Sequence, residues 1–344
     1  MEEERLEKIS ACTLGRIFGY EPRIARSIID VFGSARAVFS LSREEIRAFA
    51  GPYSKMAEKI GDDGQEASER MLEDLERKGF DFVPITSGDY PGLLKECDDA
   101  PAGLYVRGRT CLREVFGGRK AVAVVGTRDI SPYGREWCTR IVAALSQAKE
   151  KPVIVSGFAI GVDAVAHVSA LQCALPTVGI LPTGIDDVYP RRHAGLAATL
   201  AATPGCALLT DFPPGTGPVA VNFLRRNRII AGLCSGTILI ESKIRGGRMM
   251  TARLASGYGR TVLALPGRVD DLRSGGCNAL LRDRVAEPLT GTEMLAEALG
   301  LGQWQRRRSK DLEEELRTVF SYGCGPGRSM TWWAWRCLSA ATGG

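Results

Sequence analysis

The chain has 344 residues, 44% of them hydrophobic and 25% charged, with a formal net charge of +5; this is globular material, enough for one large domain with smaller attachments. Ten cysteines are scattered with no CxxC pair and no histidine at ligand spacing, so zinc and a disulfide framework are excluded and no metal or cofactor is expected. The acidic start "MEEERLEKIS" lacks a signal-peptide core and no run approaches the ~18 apolar residues of a membrane span, so a cytoplasmic location is expected.

Residues 1–75 read as short helices. "RIARSIIDVF" and "REEIRAFA" carry apolar residues at helical spacing, broken by turns at "FGYEP", "VFGSA" and "AGPYS". The first turn is loosely similar to a helix-hairpin-helix, but Glu21 stands where a phosphate-binding turn wants glycine, so packing is the expected role. From residue 119 the texture alternates. Apolar, β-branched runs occur at 121–126, 152–157, 176–181, 206–210, 237–241 and 261–267, separated by stretches of helical length such as 133–149, 161–173 and 246–258. Continuous apolar strands with helical crossovers predict a doubly wound, mainly parallel, Rossmann-like α/β sheet. Residues 76–300 are assigned to it. The stretch 301–344 reads as a charged linker and a Gly- and Trp-rich tail with no clear period.

Charge is unevenly spread. Residues 1–76 hold 11 Lys/Arg against 16 Asp/Glu, whereas residues 119–300 hold 21 against 14, so an acidic head precedes a basic body that suits an anionic partner. In an open parallel sheet, ligands gather beyond the carboxyl ends of the strands. Strand 121–126 ends in Gly126, Thr127 and Arg128, a backbone turn followed by a hydroxyl and a forked cation suited to phosphate. Strand 152–157 ends in "SGFAIGVDAVAH": Ser156, Gly157 and Gly161, with Phe158 and Ala159 between them in the loop, permit close backbone approach, and Asp163 is placed to cap the next helix. His167 has no nucleophile beside it and reads as structural. The third strand end is the most basic. Between residues 222 and 260 stand Arg225, Arg226, Arg228, Lys243, Arg245, Arg248, Arg253 and Arg260 against one acid, Glu241. A solvated face normally mixes signs, so a polyanion is the economical partner. Phe158 and Phe223 are placed either to stack on bases, which would favour single strands, or to join the core.

In order along the chain, "DYPGLLKECDDAPAGLYVRG", "VVGTR", "SGFAIGVDAVAH", "GIDDVYP", "NFLRRNRIIAGL", "ESKIRGGRMMTA", "GRTVLALPG" and "GCNALL" resemble the signatures of the DprA/Smf family, the bacterial DNA-processing protein A, over roughly residues 80–285. The head resembles that family's SAM-like domain. The resemblance implies an extended Rossmann domain that binds single-stranded DNA without catalysis, forms homodimers near residues 250–285, and helps load RecA recombinase in natural transformation and homologous recombination. Carried over by motif, the DNA pocket would use Gly126, Thr127, Arg128, the loop from Ser156 to Gly161, Arg226, Arg228 and Lys243, with Arg225 and Arg245 beside them and Asn227 fixing the loop. Many members carry Lys or Arg at the position of Ile160, so phosphate binding there should be weaker unless Arg225 compensates. Leu224 replaces a usual proline, and the tail is too short for a winged-helix domain, as a truncation or frame change would leave it. The competing expectation is an enzyme resembling LOG-type nucleoside-monophosphate phosphoribohydrolases, with Glu241 as its acid. The PGGxGTxxE signature of that family is absent.

Overall fold

Strands in which every residue is apolar need cover on both faces, and the packing of this chain supplies it. The computed structural model describes residues 2–50, 60 and 64–302; the expected turn "AGPYS", except for Ala50, and the tail from residue 303 lie outside the described residues. The head comprises helices α1 (Glu2–Phe18), α2 (Pro22–Phe32), α3 (Ala35–Phe39), α4 (Arg43–Ala50) and α5 (Gly64–Arg77). There follow β1 (Asp81–Pro84), α6 (Gly92–Lys95), β2 (Gly103–Gly108), α7 (Leu112–Phe116), β3 (Ala121–Val125), α8 (Pro132–Leu145), β4 (Val153–Ser156), α9 (Val162–Gln172) and β5 (Thr177–Ile180). The body continues with α10 (Ala194–Ala202), β6 (Ala207–Thr210), α11 (Ala220–Leu233), β7 (Gly236–Leu239), α12 (Gly247–Gly257), β8 (Thr261–Ala264), α13 (Gly275–Arg282), β9 (Glu287–Pro288) and α14 (Leu295–Ala298).

Among the described residues the strands form one sheet in the order β1-β2-β6-β5-β4-β3-β7-β8-β9. All neighbours from β6 to β9 pair in parallel, and β1 and β2 add an antiparallel edge. The period of two divides β3 between the faces. Ala121, Ala123 and Val125 join the larger core, and Val122 and Val124 join a second core under α8 and α9. The chain winds outward from β3 to β6, then returns through α11 to β7 on the other side of β3. That reversal makes β3 the switch strand, flanked by β4 and β7.

The six predicted strand cores and three crossover helices are all present. The sequence reading did not assign the β1–β2 edge, β9, or helices α1 and α11. In α11 every residue from Arg226 to Leu233 is buried, including two arginines and an asparagine, so it has no polar face from which a helical period can be read. The head does not have a core of its own: Leu14, Phe18, Leu72 and Leu75 belong to the same buried cluster as Phe82, Leu104 and Tyr105 of the edge strands.

Candidate functional site

At the carboxyl ends of β3 and β7 lies an open cleft of about 580 Å³. One wall is Gly126, Thr127 and Arg128; the second is the start of α11 with Pro218, Ala220, Phe223, Leu224 and Asn227; the third runs from Ser242 and Lys243 to Gly246, Gly247 and Arg248, and Tyr189 closes the β5 side. Among the described residues no carboxylate lines this cleft.

Local chemistry explains each wall. A side chain at Gly126 would run into Val162 Cγ2, so glycine lets α9 pack directly on the end of β3. Gly161 has φ +85°, and a Cβ there would overlap the carbonyls of Thr127 and Arg128, so the β3 and β4 ends touch through backbone alone. The Val162 N–H donates to Thr127 O at 3.1 Å. The Asn227 amide donates to Gly247 O at 3.2 Å, fixing the turn into α12 from within α11. Helices α11 and α12 both begin at the cleft without a side-chain cap, leaving first-turn N–H groups and positive dipole ends for an anion.

The arginines divide into two groups. Arg128 is exposed, with its guanidinium 4.9 Å from the Phe223 ring centre, and Phe223 meets Tyr189 edge-on at 5.5 Å. Lys243 and Arg245 are exposed. Among the described residues Arg128, Lys243 and Arg245 have no ion-pair partner. Arg248 reaches the cleft but is neutralised by buried Asp163 at 2.6 Å, and its Nε donates to Gly126 O at 3.1 Å. Asp163 also accepts the Ala159 N–H at 3.3 Å, so its carboxylate caps the preceding loop and ties α12 to α9.

Several expected contact residues sit behind the walls. Ser156, Gly157, Phe158 and Ala159 are buried; the Ser156 hydroxyl donates to Val124 O at 2.6 Å, and Phe158 packs between His167 and His193. Gly157 is glycine because a Cβ would collide with Asp163 and Arg226. Arg226 is fully buried and donates to Ile180 O, and burial, followed by the nearby Arg248, pushes its pKa down to about 9, which leaves it a cation at neutral pH. Arg228 is buried against Asp211 and donates to Asp99 O. These two arginines therefore correct the expectation that they face the cleft. Arg225 is occupied as well: it donates to Gly19 O at 2.7 Å and lies over the Tyr20 ring at 4.4 Å, which pins the head's first turn onto α11. That turn packs, as expected.

Glu241 does not line the cleft. Its buried carboxylate accepts both the N–H (3.0 Å) and the hydroxyl of Ser131, the residue that caps α8, which withdraws the proposed acid of the hydrolase reading from any ligand. His167 is structural: Nε2 lies 2.7 Å from Gly157 O and Nδ1 2.7 Å from Thr177 Oγ1, and burial lowers its pKa to about 4, so it is neutral and donates from Nε2. Among the described residues no cluster of His, Cys, Asp and Glu is suited to a metal, the eight described cysteines are free, and no helix is long and apolar enough to cross a membrane. Tyr189, Pro218, Ala220, Leu224 and Ser242 are among the cleft residues that sequence reasoning did not select as contacts. Tyr189 lay inside the quoted "GIDDVYP" motif, where nothing in the spacing singled it out.

Comparison with known proteins agrees with this architecture. Residues 81–300 match the model of the family described as DNA recombination-mediator protein A. Protein Smf of Escherichia coli (strain K12) is 39% identical over 228 residues, 66% of this chain and 59% of that protein; the DNA processing protein DprA of Streptococcus pneumoniae is 36% identical over 218 residues, 63% of this chain and 74% of that protein. The chain thus spans about 60% of the length of Smf from E. coli and from Synechocystis. The X-ray structure of S. pneumoniae DprA superposes with a TM-score of 0.61 at 29% identity, covering 78% of this chain and 93% of that one. DNA processing protein A of Helicobacter pylori, whose structure addresses its single-stranded DNA binding mode, gives 0.56 at 27% identity, covering 64% and 95%. With the sheet order, the switch-point cleft and a family match over residues 81–300, this chain belongs to the DNA recombination-mediator protein A family.

Proposed function

We propose that the cleft binds single-stranded DNA and that the protein acts as a non-catalytic recombination mediator. The observation that carries this reading is a cleft with no carboxylate, in which unpaired Arg128 and Lys243 stand beside two uncapped helix N-termini and the Phe223 and Tyr189 rings. Cations and N–H groups hold phosphates irrespective of sequence, and aromatic faces accept unstacked bases, which a duplex does not offer. The name of the family supplies the biological setting. A mediator of recombination would protect incoming strands and help load RecA onto them, as in natural transformation, and would assemble as a homodimer through residues 250–285.

The experiment is a salt titration of single-stranded DNA binding. Arg128→Ala is expected to weaken binding to all sequences alike and to reduce the slope of log K against log salt by about 0.7. Wild-type affinity and slope in that variant would place the DNA elsewhere. Release of base from nucleoside monophosphates that is abolished by Glu241→Gln would overturn the non-catalytic reading.

A further inference from the structure

The turn that joins α1 to α2 carries an aromatic ring that the core does not use. Tyr20 is 59% exposed on that turn. Its hydroxyl donates to Asn222 Oδ1 at 3.3 Å, and the Arg225 guanidinium lies over the ring, 4.4 Å from its centre. Arg225 is itself held, donating to Gly19 O at 2.7 Å. One face of the ring is therefore covered by a fixed cation, and the exposure of Tyr20 belongs to the other.

Helix α11 separates this ring from the cleft. Ala220, Phe223, Leu224 and Asn227, three and four apart, line the cleft, while Asn222 and Arg225, three apart, hold the head turn on the opposite side. The surface between the two sides is apolar. Leu224 and Val221 in the first turn, and Val219 just before it, are each half exposed. An apolar ledge thus runs from the cleft over the start of α11 to Tyr20, a path of roughly 15 Å around a helix about 10 Å across.

A ledge of this kind suits bases and not phosphates. Every base has a flat apolar face, and a ring backed by a guanidinium is a stiff platform for it whatever the base. The charges beside the ledge do not serve a phosphate. Glu21, exposed next to Tyr20, repels one; Arg23 is paired with Asp98 at 3.0 Å, and Arg225 is engaged by the head. We propose that Tyr20, backed by Arg225, is a base-stacking subsite on the head, reached by a strand that leaves the cleft across Leu224 and Val221. The head then lengthens the binding site instead of only supporting it. This rests on the reading of the cleft as a single-stranded DNA site.

The test is fluorescence anisotropy with thymine oligonucleotides of about 4 nucleotides, enough to occupy the cleft, and about 12, enough to overrun it. Tyr20→Ala is expected to weaken the longer one about 5- to 100-fold, the loss of one stacked base, and to leave the shorter one unaffected. The salt slope should not move, because no phosphate contact is lost. Tyr20→Phe keeps the ring without its bond to Asn222 and should bind as the wild type does. A second readout reports stacking directly. In the wild-type complex with the longer strand carrying 5-iododeoxyuridine, near-ultraviolet light breaks the carbon–iodine bond, the base carbon bonds to a stacked ring and hydrogen iodide leaves. Mass spectrometry is expected to find the adduct on Tyr20. Wild-type affinity in Tyr20→Ala, with Arg128→Ala still impaired, would overturn the subsite, leave the cleft standing and assign the ledge to a protein partner. Equal losses in the alanine and phenylalanine variants, or adducts confined to the cleft rings, would overturn stacking on Tyr20. Failure of the wild-type protein to bind either oligonucleotide would overturn the reading of the cleft itself.

Discussion

Arg228 and Arg128 show how one residue type serves two opposite purposes in the same molecule. Arg128 and Lys243 are available to a ligand because among the described residues no acid pairs with them, whereas Arg228 is buried against Asp211 and bonded to Asp99 O. Removing one partner of a buried pair strands the other charge, at a cost of roughly 3–5 kcal/mol. Arg228→Ala is therefore expected to lower the denaturant midpoint strongly. Any DNA-binding loss in that variant should disappear when affinities are corrected for the folded fraction. A residual binding defect in the fully folded variant would instead return Arg228 to the cleft. Sequence identified the basic cluster correctly but not its orientation. Arg225, Arg226 and Arg228 are all engaged inside the fold, by Gly19, Ile180 and Asp211, and that is decided by packing rather than by position along the helix.

At the scale of elements, the cleft is an assembly of chain ends. The ends of β3 and β4 touch through Gly161, whose positive φ and lack of Cβ let the loop reach the Thr127 and Arg128 carbonyls. Gly161→Ala adds both steric overlap and backbone strain worth about 1–3 kcal/mol. The expected outcome is a displaced Arg128, seen as weaker DNA binding, together with a lower unfolding midpoint; a variant with both unchanged would show that this close approach is not needed. The strand ends were legible because apolar runs followed by glycine mark them in one dimension. Helix α11 was not, because its buried half carries Arg226, Asn227 and Arg228, whose hydrogen-bond partners lie elsewhere in the chain: Ile180, Gly247, Asp99 and Asp211.

For the molecule as a whole, stability is shared between head and sheet and depends on pH. One buried cluster runs from Leu14 and Leu75 of the head through Phe82 and Tyr105 to the central strands, so the acidic head is part of the core that supports the cleft. On the other flank of the sheet His167 is buried and neutral, its pKa lowered by desolvation to about 4 against about 6.5 in an unfolded chain. The unfolded state binds the proton first, so this contribution is intact above pH ~6.5 and is lost as pH falls toward ~4. Between pH 7 and 5 the loss amounts to about 2 kcal/mol, with His193 shifted in the same direction. Urea unfolding at the two pH values should show a lower midpoint at pH 5, and His167→Gln should remove that histidine's share; an identical midpoint in the wild-type protein at both would contradict its burial as a neutral group.

The sequence by itself determined the layered α/β body, the strands that build it and the concentration of positive charge near their carboxyl ends, because hydrophobic period, glycine turns and charge counts are local properties. It also marked the ordered motifs by which the family was recognised. Only the tertiary structure decided which cations remain free. Asp163, Asp211 and the carbonyls of Ile180 and Asp99 lie far along the chain from the arginines they bind, and folding brings them within reach of Arg248, Arg228 and Arg226 while Arg128 and Lys243, among the described residues, stay unpaired at the surface.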